Sequence, residues 1–153
     1  MIEVNGMAHI ILTVGQWEKA RVFYGQLCPF LGMHKVFDGN KFLYHVGGRT
    51  ALGIQRCADE FVGDSFQQNR IGLHHLCFRA RTREDVDLAA TFLRDMGAFI
   101  DRGPMEGSWA PGYYFFVFED PDGIRLEINH IPGKGVLAGS TPLTVSEDPD
   151  MTP

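Results

Sequence analysis

Residues 8–14 read Ala8-His9-Ile10-Ile11-Leu12-Thr13-Val14, and residues 74–80 read His74-His75-Leu76-Cys77-Phe78-Arg79-Ala80. Both are short apolar runs with strand character, and both lead into a helical pattern. Repetition over this distance signals a duplicated module and has to be read before any single element. After the first run, Ala20, Phe23, Tyr24, Leu27 and Leu31 fall on one face of a helix over 16–32. After the second, Val86, Ala89, Ala90, Leu93 and Met96 do the same over 83–97. Thr82 with Asp85 three residues on has the form of a capping box, and Gly97 reads as a C-terminal stop. Pro29 predicts an early end or a kink in the first helix.

Three strand candidates follow each helix. In the first half they cover 34–38, 41–46 and 50–57, separated by Asp38-Gly39-Asn40 and Gly47-Gly48. In the second half they cover 98–102, 113–118 and 124–131, separated by a loop over 103–112 and by Asp120-Pro121-Asp122-Gly123. Many of the 18 glycines thus stand at turns, where a positive φ costs them little. The expected fold is α+β, with paired βαβββ modules over 5–57 and 71–131, curved mixed sheets and the helices outside. The polar stretch 58–70 reads as a linker and 132–153 as an irregular tail.

The chain has 153 residues, 44% of them hydrophobic and 22% charged, which is a globular composition. A chain of this length buries roughly two-thirds of its unfolded surface and needs no covalent staples. A net charge of −5 without a basic run argues against nucleic acid or an anionic membrane as partner. Cys28, Cys57 and Cys77 form no close pair, so neither a disulfide framework nor a CxxC motif is expected. No apolar stretch is long enough for a membrane helix and no signal peptide is visible, which leads us to expect a cytoplasmic protein.

Strand side chains alternate between faces. In the first strand Ile10, Leu12 and Val14 oppose His9, Ile11 and Thr13. In its echo Leu76, Phe78 and Ala80 oppose His75, Cys77 and Arg79. In the last strand Ile124, Leu126 and Ile128 oppose Arg125, Glu127 and Asn129. One face is uniformly apolar and suits helix packing. The other gathers His9, His75 and Glu127, and becomes a partly wet cleft if the sheet curls. Two imidazoles and a carboxylate form a facial set for a divalent first-row metal, with open positions for water or substrate. His74 falls on the helix-facing side and reads as structural; His45 is a further candidate to line the cleft.

These stretches, with Phe23-Tyr24, Gly72-Leu73-His74-His75-Leu76 and Gly112–Glu127 with its Asp-Pro-Asp-Gly turn, resemble the vicinal oxygen chelate superfamily. That superfamily includes glyoxalase I, extradiol dioxygenases, fosfomycin-resistance proteins, methylmalonyl-CoA epimerase and bleomycin-binding proteins. The resemblance covers residues 7–131. It implies paired βαβββ modules whose sheets enclose a metal and substrate cleft, with His9, His75 and Glu127 as ligands. Glyoxalase I and several isomerases place a fourth ligand on the last strand of the first module. Here the two halves align Gly53 with Glu127, which argues against glyoxalase I activity; Gln55 lies two residues later on the same face. Residues 104–111 do not match the serine-rich loop of the fosfomycin enzymes. A dioxygenase of this family would use a histidine and a tyrosine as acid and base, for which His45 and Tyr113 or Tyr114 are candidates.

The resemblance therefore implies a small metal-dependent enzyme. Dioxygenase, lyase, isomerase and transferase chemistry on an oxygen-chelating small molecule all stay open. The divalent metal, whether Fe, Mn, Ni, Co or Zn, would act as Lewis acid or as an oxygen-activating centre. Gln55, Arg79, Trp109 and Arg125 are candidates for substrate binding. The competing reading is a metal-free binding protein of the same fold, of the antibiotic-sequestering kind, and a third is a relative whose site has decayed. Duplicated modules joined by a linker also favour a homodimer.

Overall fold

The computed structural model describes residues 1–4 and 6–133. These residues form two units, each a four-stranded mixed sheet with one helix against one face.

The first unit consists of residues 1–67 together with 120–123. Strand β1 (Ile10–Val14) leads into helix α1 (Trp17–Phe30), followed by β2 (His34–Asp38), β3 (Phe42–Gly47) and β4 (Thr50–Arg56). The strand order is β1-β4-β3-β2, with β1 parallel to β4 and the other pairs antiparallel. A parallel neighbour requires a long crossover, and α1 with the β2–β3 hairpin supplies it. Leu12, Val14, Leu43, Leu52 and Ile54 are buried, as are Ala20, Tyr24 and Leu27 of α1. Pro29 falls in the last turn of α1, which ends one residue later, at Phe30. The expected linker carries a single 3-10 turn over Asp59–Phe61.

The Asp-Pro-Asp-Gly turn does more than reverse the chain. The Gly123 amide bonds to the Asp120 carbonyl at 3.0 Å, closing the turn. The Asp122 carboxylate accepts from the amides of Gly15 at 3.0 Å and Gln16 at 2.9 Å. Gln16 makes no side-chain cap of its own, and a carboxylate distant in sequence takes the amides of Gly15 and Gln16 at the entry to α1. Asp120 in turn accepts the Tyr24 hydroxyl at 2.9 Å. Burial first, and then the Asp120 charge, holds the Tyr24 phenol protonated well above the usual tyrosine range.

Among the described residues, the second unit consists of 68–119 together with 124–133. It repeats the plan with β5 (Leu76–Arg79), α2 (Arg83–Asp95), β6 (Ile100–Glu106), β7 (Tyr114–Glu119) and β8 (Arg125–His130), in the order β5-β8-β7-β6. The capping box at Thr82 and Asp85 is present. Val86, Ala89, Ala90 and Leu93 of α2 are buried, as are Phe116, Phe118, Leu126 and Ile128 of the sheet.

One element corrects the sequence reading. The expected loop over 103–112 begins instead as strand, because β6 runs through Gly103-Pro104 to Glu106. Proline is tolerated there because β6 is an edge strand with register shifts on either side of Arg102. Gly103 has φ +84°, and a Cβ on it would meet the Phe115 carbonyl oxygen at 2.5 Å, so no larger residue fits. The expected tail lies mostly outside the described residues, from 134 onward. Among the described residues no helix is long and apolar enough to cross a membrane.

Candidate functional site

The open face of the second unit carries a connected set of polar side chains. Parallel pairing of β5 with β8 sets Cys77 beside Glu127 and Arg79 beside Asn129. Antiparallel pairing of β7 with β8 sets Val117 beside Glu127 and Phe115 beside Asn129. By alternation His75, just ahead of β5, and Tyr113, just ahead of β7, share that face.

Glu127 is 7% exposed, and both of its oxygens are engaged. The Tyr113 hydroxyl donates to Oε1, and His75 Nε2 stands 3.4 Å from Oε2. Asn129 Nδ2 donates to the Tyr113 hydroxyl oxygen at 2.9 Å, fixing the ring that fixes the carboxylate. Burial, and then the bond to Glu127, raises the Tyr113 phenol far above its ordinary value, so it stays a donor. The Cys77 thiol is raised above the usual thiol range by its partly desolvated position and by the Glu127 charge. Burial lowers the His75 pKa against the opposing pull of Glu127, favouring a neutral imidazole.

On its other side His75 is tied to a second chain of groups. Its Nδ1 lies 2.7 Å from Nδ1 of His74. Gln68 Nε2 sits against His74 Nε2, and 3.3 Å from its Nδ1. Arg125 donates to Gln68 Oε1 and to Asp101 Oδ2, each at 2.5 Å.

The first unit presents a different open face at matching register positions. Ile11 pairs with Gly53 as Cys77 pairs with Glu127, and Thr13 pairs with Gln55 as Arg79 pairs with Asn129. This strand pairing places Gly53 opposite Glu127 in the repeat, as the sequence alignment of the halves does. The position is also closed over: a Cβ there would meet Ile11 Cδ1 at 2.5 Å, Tyr44 Cδ2 at 2.9 Å and Phe42 Cε2 at 3.1 Å. Beside it runs an aromatic row, with ring centroids 6.0 Å apart for Phe37 and Phe42 and 5.6 Å for Phe42 and Tyr44. His9 is exposed, and it precedes Ile11 by the two residues that separate His75 from Cys77.

The remaining candidates fall in varied places. Gln55 is exposed on the open face of the first unit. Arg79 donates to the carbonyl oxygens of Ile131 at 3.1 Å and Gly133 at 2.8 Å, at the far end of β5 from His75. Trp109 is half-buried between β6 and β7. Arg125, read from sequence as a substrate contact, is 8% exposed and committed to Asp101 and Gln68. His45 does not line the open face. It pairs with Leu52, alternates with Tyr44 and is 1% exposed on the side of Leu43 and Ile54. His74 stands just ahead of β5, with its Nδ1 2.7 Å from that of His75.

Gln68, Asp101 and Asn129 were not anticipated. Asn129 carries a legible signal, standing two residues past Glu127 on the same face. Gln68 and Asp101 carry none, since one lies in a polar linker and the other on an edge strand.

Among the described residues no three of His, Cys, Asp and Glu gather into a group able to hold a metal ion. The second unit brings together one nitrogen and one oxygen donor. With bonds of about 2.1 Å, two ligand atoms on one metal stand roughly 3.0–3.4 Å apart. The 3.4 Å between His75 Nε2 and Glu127 Oε2 fits that spacing. Tyr113 behind the carboxylate and His74 behind the imidazole occupy the places of outer-shell partners.

Comparison with known proteins gives a consistent picture. The family model described as Glyoxalase/Bleomycin resistance protein/Dioxygenase superfamily matches residues 6–128. The uncharacterized protein YqjT of Bacillus subtilis is 30% identical over 125 residues, covering 80% of this chain and 96% of that one. A solved structure of a candidate glyoxalase from Bacillus halodurans is 30% identical with a TM-score of 0.74, covering 83% of this chain and 96% of its own. The fosfomycin resistance protein FosX of Listeria monocytogenes, 18% identical with a TM-score of 0.62, covers 86% of this chain and 95% of its own and shares the fold.

Proposed function

The chain belongs to the glyoxalase/bleomycin resistance protein/dioxygenase superfamily, and from that membership we propose that it is a small metal-dependent enzyme acting on an oxygen-chelating small molecule. The observation that carries the proposal is the pairing of His75 Nε2 with a buried, oriented Glu127 at a ligand-to-ligand distance. His9, at the register position in the first unit that His75 holds in the second, is the further ligand residue that the family resemblance implies. A divalent cation held there supplies Lewis-acid stabilisation of an oxyanion or, as Fe(II), activation of dioxygen.

The chain's own residues account for the rest. Tyr113 holds Oε1 of Glu127 and leaves Oε2 directed at His75. Asn129 keeps Tyr113 in place, and burial keeps the Tyr113 proton on its oxygen. Gly53, closed over by Ile11, Tyr44 and Phe42, leaves no room for a fourth carboxylate ligand, which weighs against the glyoxalase I reaction. Dioxygenase and fosfomycin-type chemistry remain the better matches to a three-ligand set.

Metal analysis of the purified protein tests this directly. Wild-type protein reconstituted with Mn, Fe, Co, Ni or Zn should retain about one equivalent per chain for at least one of them. His75→Ala and Glu127→Ala should each abolish retention; a wild type that binds none of the five refutes the proposal.

One observation favours the metal-free binding reading, the aromatic row Phe37–Phe42–Tyr44 on the open face of the first unit. Aromatic rows receive planar or apolar ligands without chemistry. Ligand binding by a metal-free His75→Ala protein would support that reading over the enzyme.

A further inference from the structure

The open face of the first unit carries an apolar band that the core of the unit does not use. The band crosses all four strands, from Ile11 on β1 over Gly53 on β4 to Tyr44 and Phe42 on β3 and Phe37 on β2. The buried apolar residues of these strands lie on the other face, toward α1. Ile11 and Phe37 are exposed, and Phe42 and Tyr44 are half-buried. Two glycines make room for the row. A Cβ on Gly53 would meet Ile11, Tyr44 and Phe42, and one on Gly39 would meet Phe37 Cε1 at 2.7 Å. The rings run on from one another: Phe42 and Tyr44 lie 24° from parallel, and Phe37 is tilted 43° to Phe42. A contiguous apolar patch kept open to water marks a binding surface.

Size and chemistry select the occupant. A stable protein interface takes about 20–30 residues a side, far more than the four side chains of this band. No carboxylate stands on this face of the four strands, whose other positions include Thr13, Gln55, Ala51, Val46 and His34. A cationic ligand over the rings would therefore lack a counter-ion. A planar ring needs none. Aromatic pairs settle with centroids about 4.5–7 Å apart, and the 5.6 Å and 6.0 Å spacings within the row leave an added ring the same kind of contact. Gln55 is exposed and stands in register with both Phe42 and Thr13. Its amide offers a donor and an acceptor at the rim of the row.

We propose that this face binds a planar aromatic molecule carrying a hydroxyl or carbonyl oxygen. Phe42 and Tyr44 pack the ring, and Gln55 hydrogen-bonds its oxygen. The inference names the class of small molecule, and rests on the readings above for what happens to it once bound; binding itself needs no metal.

The test uses full-length protein stripped of metal with EDTA, with 2-naphthol as the probe and 2-decalol as its saturated counterpart. Titration is followed by NMR of the aromatic and methyl groups. 2-Naphthol should shift the signals of Ile11, Phe37, Phe42 and Tyr44, and mapping on the wild type locates the site without any variant. A ring pair adds a factor of about 2–10, so 2-decalol should bind at least about twofold more weakly. Phe42→Leu keeps an apolar side chain and should weaken 2-naphthol by about 2–10-fold. Gln55→Ala, at an exposed position, should weaken it by a similar factor of about 2–10, the worth of one neutral hydrogen bond. Equal binding of 2-decalol, shifts confined to residues outside the band, or no shift with about 1 mM probe overturns the proposal. An unchanged affinity in Phe42→Leu overturns the site, and one in Gln55→Ala overturns the role given to Gln55. 2-Naphthol bound by a protein that retains none of the five metals would leave this inference standing and sink the metal-dependent enzyme. Metal retained without 2-naphthol binding would do the reverse.

Discussion

Replacing Tyr113 by Phe isolates the link that holds Glu127 in place. The change removes one hydroxyl that donates to Glu127 Oε1 and accepts from Asn129 Nδ2 at 2.9 Å. A hydrogen bond to a charged partner contributes about 1.5–3 kcal/mol, and Asn129, itself buried, loses an acceptor as well. We expect Tyr113→Phe to destabilise the metal-free protein by about 2–3 kcal/mol. With a urea m-value of about 2 kcal/mol/M, the midpoint should fall by about 1–1.5 M at unchanged slope. The neighbouring residue supplies the control. The Tyr114 hydroxyl donates to Asp87 at 2.7 Å, but on the other face, at the surface and beneath Arg83. Tyr114→Phe should cost no more than about 0.5 kcal/mol, as exposed contacts do. A Tyr113→Phe, Glu127→Gln double-mutant cycle should show at least about 1 kcal/mol of coupling. Equal effects at the two tyrosines, or no coupling between Tyr113 and Glu127, would refute the reading of this network.

The other expectations are shorter. Tyr24 and Tyr113 both have phenol pKa values raised by burial, so the folded state keeps protons that the unfolded state releases above about pH 10. Their contribution is complete below that pH and should be lost as pH rises beyond it, seen as a steep alkaline fall in thermal midpoint that Tyr113→Phe makes shallower. Asp122→Ala should cost about 1–2 kcal/mol in urea unfolding, because it strips the acceptor from the Gly15 and Gln16 amides. His45 is buried with Nε2 unpartnered and a pKa lowered by burial. Its folded state resists a proton that the unfolded state accepts below about pH 6.5, so wild-type stability should fall with acid. His45→Met should be neutral or stabilising and flatten that acid limb; a loss above about 2 kcal/mol would mean that His45 has a partner. Gly53→Ala should destabilise by about 1–3 kcal/mol through overpacking, and Ile11→Ala should relieve most of that in a double-mutant cycle.

The duplication was legible because it is written twice. Each half repeats an apolar alternation followed by a 3.6-residue period, and local periodicity is what short segments report. The pairing of Gly53 with the Glu127 position also came through, since register follows from alternation once the strands are known. What sequence could not give is which polar groups meet. His45 was misread because the register of β3 decides its face, and one position separates it from Tyr44. Arg125 looked like a free cation on an open face. Its commitment to Asp101 and Gln68 depends on an edge strand and a linker whose paths no local pattern encodes. Pro104 concealed the second half of β6, because a proline inside a strand is tolerated only where the register already slips.

Two copies of one backbone have diverged mainly on one face. Across the repeat, Ile11 answers to Cys77, Gly53 to Glu127, Gln55 to Asn129 and Ala51 to Arg125. The helix-facing positions stay largely apolar in both halves, His45 standing where the second half has Phe118, because each sheet must bury a face against its helix whatever else it does. The open faces carry no such obligation. In the second unit the carboxylate, the tyrosine and the asparagine interlock, and a buried carboxylate is tolerable only with such partners. In the first unit the absent carboxylate removes the need for them, and Ile11, Phe42 and Tyr44 close over the glycine instead. Gly53 is thus more than a missing ligand. A carboxylate restored there would be crowded against an aliphatic chain and two rings. Reinstating a fourth ligand therefore requires rebuilding Ile11, Phe42 and Tyr44 together with Gly53, and a single substitution to Glu should destabilise the fold without adding a metal ligand.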